Sequence, residues 1–74
     1  QMIEEAETFL AGQGFTQIRV RLHDSIARIE LLPNEMEKVF PIREDLIGRF
    51  RKIGFHYVTL DLSGFRSGSM DETP

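Results

Sequence analysis

Two arginines, Arg19 and Arg21, stand two positions apart in a stretch that alternates polar and apolar residues. Alternate side chains of a β-strand point to the same face, so a strand here would present both guanidinium groups together. A planar guanidinium group binds carboxylate or phosphate through paired hydrogen bonds. The pair therefore indicates an anion site, while the solvated outer face of an antiparallel sheet has the same residue pattern.

Three other polar residues are candidates for chemistry on their type and position. Glu7 lies beside the apolar stripe of the first predicted helix. There it is either a functional carboxylate or an exposed residue on the flank of the helix. His23 precedes Asp24 and is either a ligand or a turn residue, and His56 has no evident partner. Because catalytic groups are recognised by geometry, residue order alone assigns no catalytic residue.

Length and composition narrow the function classes. A chain of 74 residues holds one domain, which at this size buries only about 60% of the surface that its unfolded chain exposes. The count of 0 cysteines excludes a disulfide, a thiolate nucleophile and a cysteine zinc site in this chain. With 9 Lys and Arg against 12 Asp and Glu, the net charge of -3 disfavours binding to nucleic acid or to an anionic membrane.

The chain contains no apolar run near the roughly 20 residues that cross a bilayer, so we expect a cytoplasmic protein. It opens on Gln1 with a helical pattern already under way, which is typical of a domain excised from a larger protein.

Hydrophobic periodicity predicts two helices and three strands. Residues 2–13 have helical spacing, and Gly14 is expected to end that helix with Phe15 folding back on its last turn. Residues 17–23, 26–31 and 57–62 alternate as strands do. Asn34 and Glu37 resemble a capping box for a helical turn, and Pro41 is expected in the first turn of the second helix, which ends at Gly54.

Two helix-turn-strand units flank the middle strand, because the spacing of Gly14 and Phe15 recurs at Gly54 and Phe55. The sequence predicts an α/β domain of the α+β type: a two-layer sandwich in the order αββαβ, with a three-stranded mixed sheet and both helices on one face. The residues expected to face the helices are Ile18, Val20, Leu22, Ala27, Ile29, Leu31, Val58, Leu60 and Leu62. The opposite face would carry Arg19, Arg21, Arg28, Glu30, Tyr57, Thr59 and Asp61.

The predicted domain covers residues 1–62, and residues 63–74 are predicted to be a tail that contains glycine and serine. Exposed backbone amides around such glycines form anion-binding nests, and a frayed chain end has the same composition. The tail lacks the lysine of a phosphate-binding loop and the glycine spacing of a dinucleotide site.

Three segments together resemble the C-terminal region of the LarE family, namely residues 14–23, 26–30 and 54–70. LarE proteins are PP-loop ATP pyrophosphatase relatives that act as sacrificial sulfur transferases in making the nickel-pincer cofactor of lactate racemase. The resemblance implies that this chain is the accessory domain of such an enzyme and is inactive alone. The active site would be completed by a missing N-terminal PP-loop domain or by a neighbouring subunit of a homo-oligomer.

In that family, ATP and Mg²⁺ serve to adenylate a carboxylate of a pyridinium mononucleotide substrate, and a cysteine of the protein then donates its sulfur. The resemblance assigns Arg19 and Arg21 to phosphate-containing ligands, and Glu7 and Glu30 to a divalent metal site. A further family acid does not align, and Glu35 or Glu37 are its two candidates. Arg28 and the segment 66–68 fit the family pattern without an assigned role. A purely structural oligomerisation module is the alternative function.

Overall fold

The computed structural model describes residues 1–66 of the chain. Six elements follow one another: α1 (Met2–Gly12), β1 (Ile18–His23), β2 (Ile26–Leu31), a 3-10 helix (Pro33–Ile42), α2 (Arg43–Ile53) and β3 (Tyr57–Leu60). The predicted α+β class and the αββαβ order are confirmed, with a mixed sheet of three strands. Within residues 1–66, neither helix is long and apolar enough to pass through a membrane.

The central strand of the sheet is β2, with β1 and β3 as its neighbours. It pairs antiparallel with β1 through a tight turn at Asp24, which has a positive φ of 55°. It pairs parallel with β3, because the chain crosses over through the 3-10 helix and α2 before it returns. The two edge strands of the sheet are therefore β1 and β3, one on each side of β2.

The core lies between the sheet and the two α-helices. Its buried residues are Ala6, Leu10, Phe15, Val20, Ala27, Ile29, Leu31, Leu46, Phe50 and Phe55. The prediction that Leu62 faces the helices is wrong, since Leu62 is 82% exposed, whereas Leu22 shares the helix face with its register partner Ala27 but is 40% exposed. Leu22 lies at the hairpin end of β1, and β3 ends at Leu60, so strand alternation no longer governs the direction of Leu62.

The two helix ends repeat one design, as their sequences predict. Gly14 and Gly54 adopt positive φ values of 96° and 132°, a region that glycine enters without steric cost. After each glycine a buried phenylalanine donates its backbone N–H to the last helical turn, Phe15 to Leu10 and Phe55 to Phe50. Each turn therefore directs the chain from a helix back into the sheet layer.

The connection between β2 and α2 differs from the prediction. The 3-10 helix begins at Pro33 with Leu32 as its N-cap and no side-chain cap, so Asn34 lies inside it and forms no capping box. Proline needs no cap at the first helical position because it has no N–H to satisfy. Pro41 also lies in the 3-10 helix, and α2 begins after it at Arg43.

Candidate functional site

The predicted polar face of the sheet lies opposite the helices. Strand register aligns Arg19 with Glu30 and Arg21 with Arg28 across the antiparallel pair, and Arg28 with Thr59 across the parallel pair. Residues that pair in this way point to the same side of a sheet. The three arginines therefore share one face with two carboxylates, those of Glu30 and Asp61. We call these five residues the arginine face.

Glu30 is the centre of the arginine face. It is only 4% exposed, and its Oε2 atom lies 3.1 Å from Arg21 Nε and 3.1 Å from Arg28 Nη2. A buried charge requires such partners, because moving an unpaired ion out of water into the protein costs about 5 kcal/mol or more. The other carboxylate oxygen, Oε1, is buried without a hydrogen-bond partner among the described residues.

Arg21 and Arg28 are held differently by that carboxylate. Arg21 uses its Nε atom, and among residues 1–66 Glu30 is its only ion-pair partner. Arg28 uses a terminal nitrogen, while its buried Nε lies 3.7 Å from Asp61 Oδ2. Neither terminal nitrogen of Arg21 has a hydrogen-bond partner among residues 1–66, so these amino groups are left for another acceptor.

Arg19 is fixed by an aromatic ring. Its guanidinium carbon lies 5.2 Å from the ring centroid of Phe65, which is within the range of a cation–π interaction. The segment after β3 brings the ring there: Phe65 N–H donates to the Leu31 carbonyl at 2.7 Å, and Gly64 turns with a φ of 84°. A side chain at Gly64 would meet that same carbonyl oxygen at 3.0 Å, so glycine permits the close approach.

Sequence reasoning missed the position of Phe65, which falls in the predicted tail. The signal that could have found it is Asp61, whose side chain accepts the Ser63 N–H at 2.9 Å in a local turn. Residues 63–66 thus continue the domain past its predicted boundary at residue 62. Most of the segment 66–68, with its proposed nest, lies outside the described residues.

Glu7 is not an exposed flank residue. It is half-buried, and its Oε2 atom accepts the backbone N–H of Val20 at 2.9 Å. Val20 belongs to the edge strand β1, so this amide has no strand partner on that side. Position beside the apolar stripe of α1 therefore directs the Glu7 carboxylate to the edge of the sheet.

Glu35 has a similar structural role. It is 7% exposed, and its Oε1 atom accepts the backbone N–H of Thr16 at 3.0 Å and the Thr16 hydroxyl at 3.2 Å. Lys38 Nζ lies 3.4 Å from its other oxygen. The Thr16 backbone hydrogen bond, above all, lowers the pKa of Glu35, and Lys38 adds to the effect while burial opposes it. Glu37, the other candidate acid, is exposed.

The two carboxylates assigned to a metal have separate partners. Glu7 binds a backbone amide, and Glu30 binds two guanidinium groups that a cation would have to displace. Residues 1–66 contain no group of three His, Asp or Glu side chains arranged to hold a metal ion. The described residues therefore do not fit a metal ion as they stand, and the metal role of Glu7 and Glu30 stays a prediction that requires ligands from elsewhere. His23 and His56 are both exposed.

Comparison with known proteins extends this geometry. The chain is 49% identical over 69 residues to the pyridinium-3,5-bisthiocarboxylic acid mononucleotide synthase of Lactiplantibacillus plantarum, which is LarE. The chain is a domain-sized relative of LarE. This similarity confirms the predicted relationship to the LarE family and covers 92% of the chain.

Two uncharacterized proteins are similar as well, one of Synechocystis at 38% identity over 96% of the chain and one of Methanocaldococcus jannaschii at 35% over 88%. The chain spans about a quarter of the length of LarE and of these relatives, with 25%, 27% and 25% of them covered. No protein-family model matches it. About three quarters of each of these relatives therefore lies outside the part that this domain matches.

Proposed function

We propose that this chain is the C-terminal accessory domain of a cytoplasmic, ATP-dependent sacrificial sulfur transferase of nickel-pincer cofactor biosynthesis. Its Arg19 and Arg21 would bind phosphate groups of a pyridinium mononucleotide substrate. The ATP and Mg²⁺ sites would lie in a PP-loop domain outside this chain. Because the chain has 0 cysteines, sulfur would have to come from another part of the protein or from a separate donor.

One observation carries the phosphate-binding role: within residues 1–66 the terminal amino groups of Arg21 have no partner, while its Nε is held by Glu30. Arg19 lies two residues away on the same face and has a ring contact but no carboxylate partner among the described residues. Three arginines against two carboxylates also leave the arginine face with excess positive charge. Such a surface attracts a phosphate, whose oxygens match the guanidinium fork.

Titration of the chain with inorganic phosphate tests this role. Amide resonances of β1 should shift in a saturable way, and the shifts should be lost in the double variant Arg19→Gln, Arg21→Gln. Arg51→Gln is the matched control, because Arg51 is an exposed arginine on α2, away from the sheet. Phosphate shifts that persist in the double variant would contradict the proposal.

A second experiment places the role in the whole enzyme. In the full-length protein, the double variant should lose sulfur transfer while the size of the oligomer stays the same. Loss of assembly in this variant would instead favour a structural role for the arginine face.

The second candidate function is a structural oligomerisation module without a ligand. Large apolar side chains favour it: Phe40 is 65% exposed, Tyr57 is 64% exposed, and Phe40 borders a groove of about 170 Å³ next to Val58 and Leu60. Phe40→Asp in the full-length protein should reduce the oligomer size if this candidate holds. An unchanged sedimentation coefficient would exclude Phe40 from an assembly contact.

A further inference from the structure

Burial of Glu30 is unexpected on the side of the sheet away from the core. Glutamate is almost never fully buried, and a buried ion pair contributes little or nothing to stability compared with apolar side chains of similar volume. Fold stability alone therefore does not explain a carboxylate that is 4% exposed and has one oxygen without a partner. The contacts of Glu30 indicate instead that it acts on the arginines beside it.

Those contacts fix two arginines in different ways through one atom. Glu30 Oε2 receives Nε of Arg21 and Nη2 of Arg28, both at 3.1 Å. Arg21 and Arg28 are register partners on neighbouring strands, so like charges face each other directly and need a carboxylate between them. Arg21 meets Glu30 through Nε, and its terminal nitrogens have no partner among the described residues, whereas Arg28 is shared between Glu30 and Asp61.

We propose that Glu30 is a positioning residue, which holds Arg21 ready for a phosphate and keeps Arg28 engaged as a spacer outside the site. This inference rests on the proposed phosphate role of Arg19 and Arg21. A guanidinium group that is already oriented loses less conformational freedom when it binds an anion, so positioning should raise phosphate affinity. Glu30 acts through Arg21 and does not itself touch the ligand.

Charge and positioning predict opposite signs for the variant Glu30→Gln. A carboxylate beside an anion site repels anions, so its removal by charge alone should strengthen phosphate binding. If Glu30 positions Arg21, the variant should instead bind phosphate about threefold to tenfold more weakly, the effect of freeing one long side chain. Glu30→Asp keeps the charge but withdraws the carboxylate by one methylene, so positioning predicts weaker binding there as well.

The experiment is a phosphate titration of the 74-residue chain and its variants, followed by amide and arginine side-chain resonances. The matched control is Asp61→Asn, which removes the other carboxylate of the arginine face without touching Arg21. The control should bind phosphate equally or more tightly, and both Glu30 variants more weakly. Tighter or unchanged binding in the Glu30 variants would overturn the positioning role.

The Nε–Hε resonance of Arg21 is the second readout. In the wild-type chain it should exchange slowly with water, and in Glu30→Gln it should move toward the signals of exposed arginines. This signal is independent of phosphate, so a wild-type chain that ignores phosphate would refute the proposed function and leave the positioning contact to be judged separately. An Arg21 signal that is the same in both proteins would refute the positioning contact.

Discussion

The two faces of the sheet differ in how they bury a side chain, as two neighbouring residues of β2 show. Ile29 is 1% exposed on the face toward the helices, and Glu30 is 4% exposed on the face away from them. Ile29 is buried by apolar side chains of the core, whereas Glu30 is buried among charged partners, the two arginines on its Oε2 atom. Similar burial therefore has two different causes. The hydrophobic effect, which buries Ile29, is non-directional, whereas the ion pairs that accompany Glu30 depend on geometry.

The largest expected effect belongs to the core face. Ile29→Ala should lower the free energy of unfolding by about 2–5 kcal/mol, because it removes buried methyl groups and leaves a cavity. The same substitution at Ile26, which lies on β2 and is 37% exposed, is the control and should change stability by less than about 1 kcal/mol. Urea denaturation measures both. Similar losses in the two variants would mean that the faces do not differ as the burial implies.

The arginine face should respond less strongly. Glu30→Gln should lower the free energy of unfolding by about 1–3 kcal/mol, because the charge-assisted hydrogen bond from Arg21 and the ion pair with Arg28 are weakened. Glu37→Gln is the control, since Glu37 is exposed on the 3-10 helix. A variant at Glu30 that is more stable than the wild-type protein would show that the buried carboxylate costs stability.

A hydrogen bond between uncharged groups on the same face should contribute less to stability than the Glu30 contacts. Thr59 Oγ1 donates to the backbone carbonyl of Ala27 at 2.7 Å and so joins β3 to β2 through a side chain. Thr59→Val keeps the shape and removes this hydrogen bond, at a cost of about 0.5–1.5 kcal/mol. Thr8→Val on the exposed side of α1 is the control. No difference between the two valine variants in thermal unfolding would argue that the Thr59 contact contributes nothing.

The last prediction concerns how stability changes with pH, and it rests on the carboxylate of Glu35. The pKa of Glu35 in the folded protein lies below its ordinary value of 4.5, so ionised Glu35 stabilises the fold above that pH. This contribution should be lost as the pH falls through the folded-state pKa. Glu35→Gln should therefore flatten the acid limb of a stability profile measured by urea denaturation. An acid limb identical to that of the wild-type protein would remove Glu35 as its cause.

Periodicity predicted most of the fold because the packed elements follow simple spacing rules. The bounds of β2 matched, and both glycine turns formed as expected, since each depends only on local sequence. The prediction that Leu62 faces the helices failed, because alternation does not indicate where a strand ends. The predicted capping box of Asn34 and Glu37 failed, because the 3-10 helix begins with a proline that needs no side-chain cap.

The arginine face was only half predictable. Alternation placed Arg19 and Arg21 on the correct side, because a period of two carries that information directly. Burial of Glu30 and the approach of Phe65 depend on strand register and on a segment that folds back across β2. Such contacts join residues distant in the chain, and local patterns offer at most the turn at Asp61 that precedes Phe65.

The hydrogen bond from Val20 to Glu7 has a consequence for how the sheet can grow. A strand added beside β1 would have to displace that carboxylate and recover its lost contact. Beside β3 the edge is only four residues long and runs parallel to the central strand. Each edge of the sheet therefore has its own obstacle to pairing with a further strand, a carboxylate beside β1 and a short strand at β3.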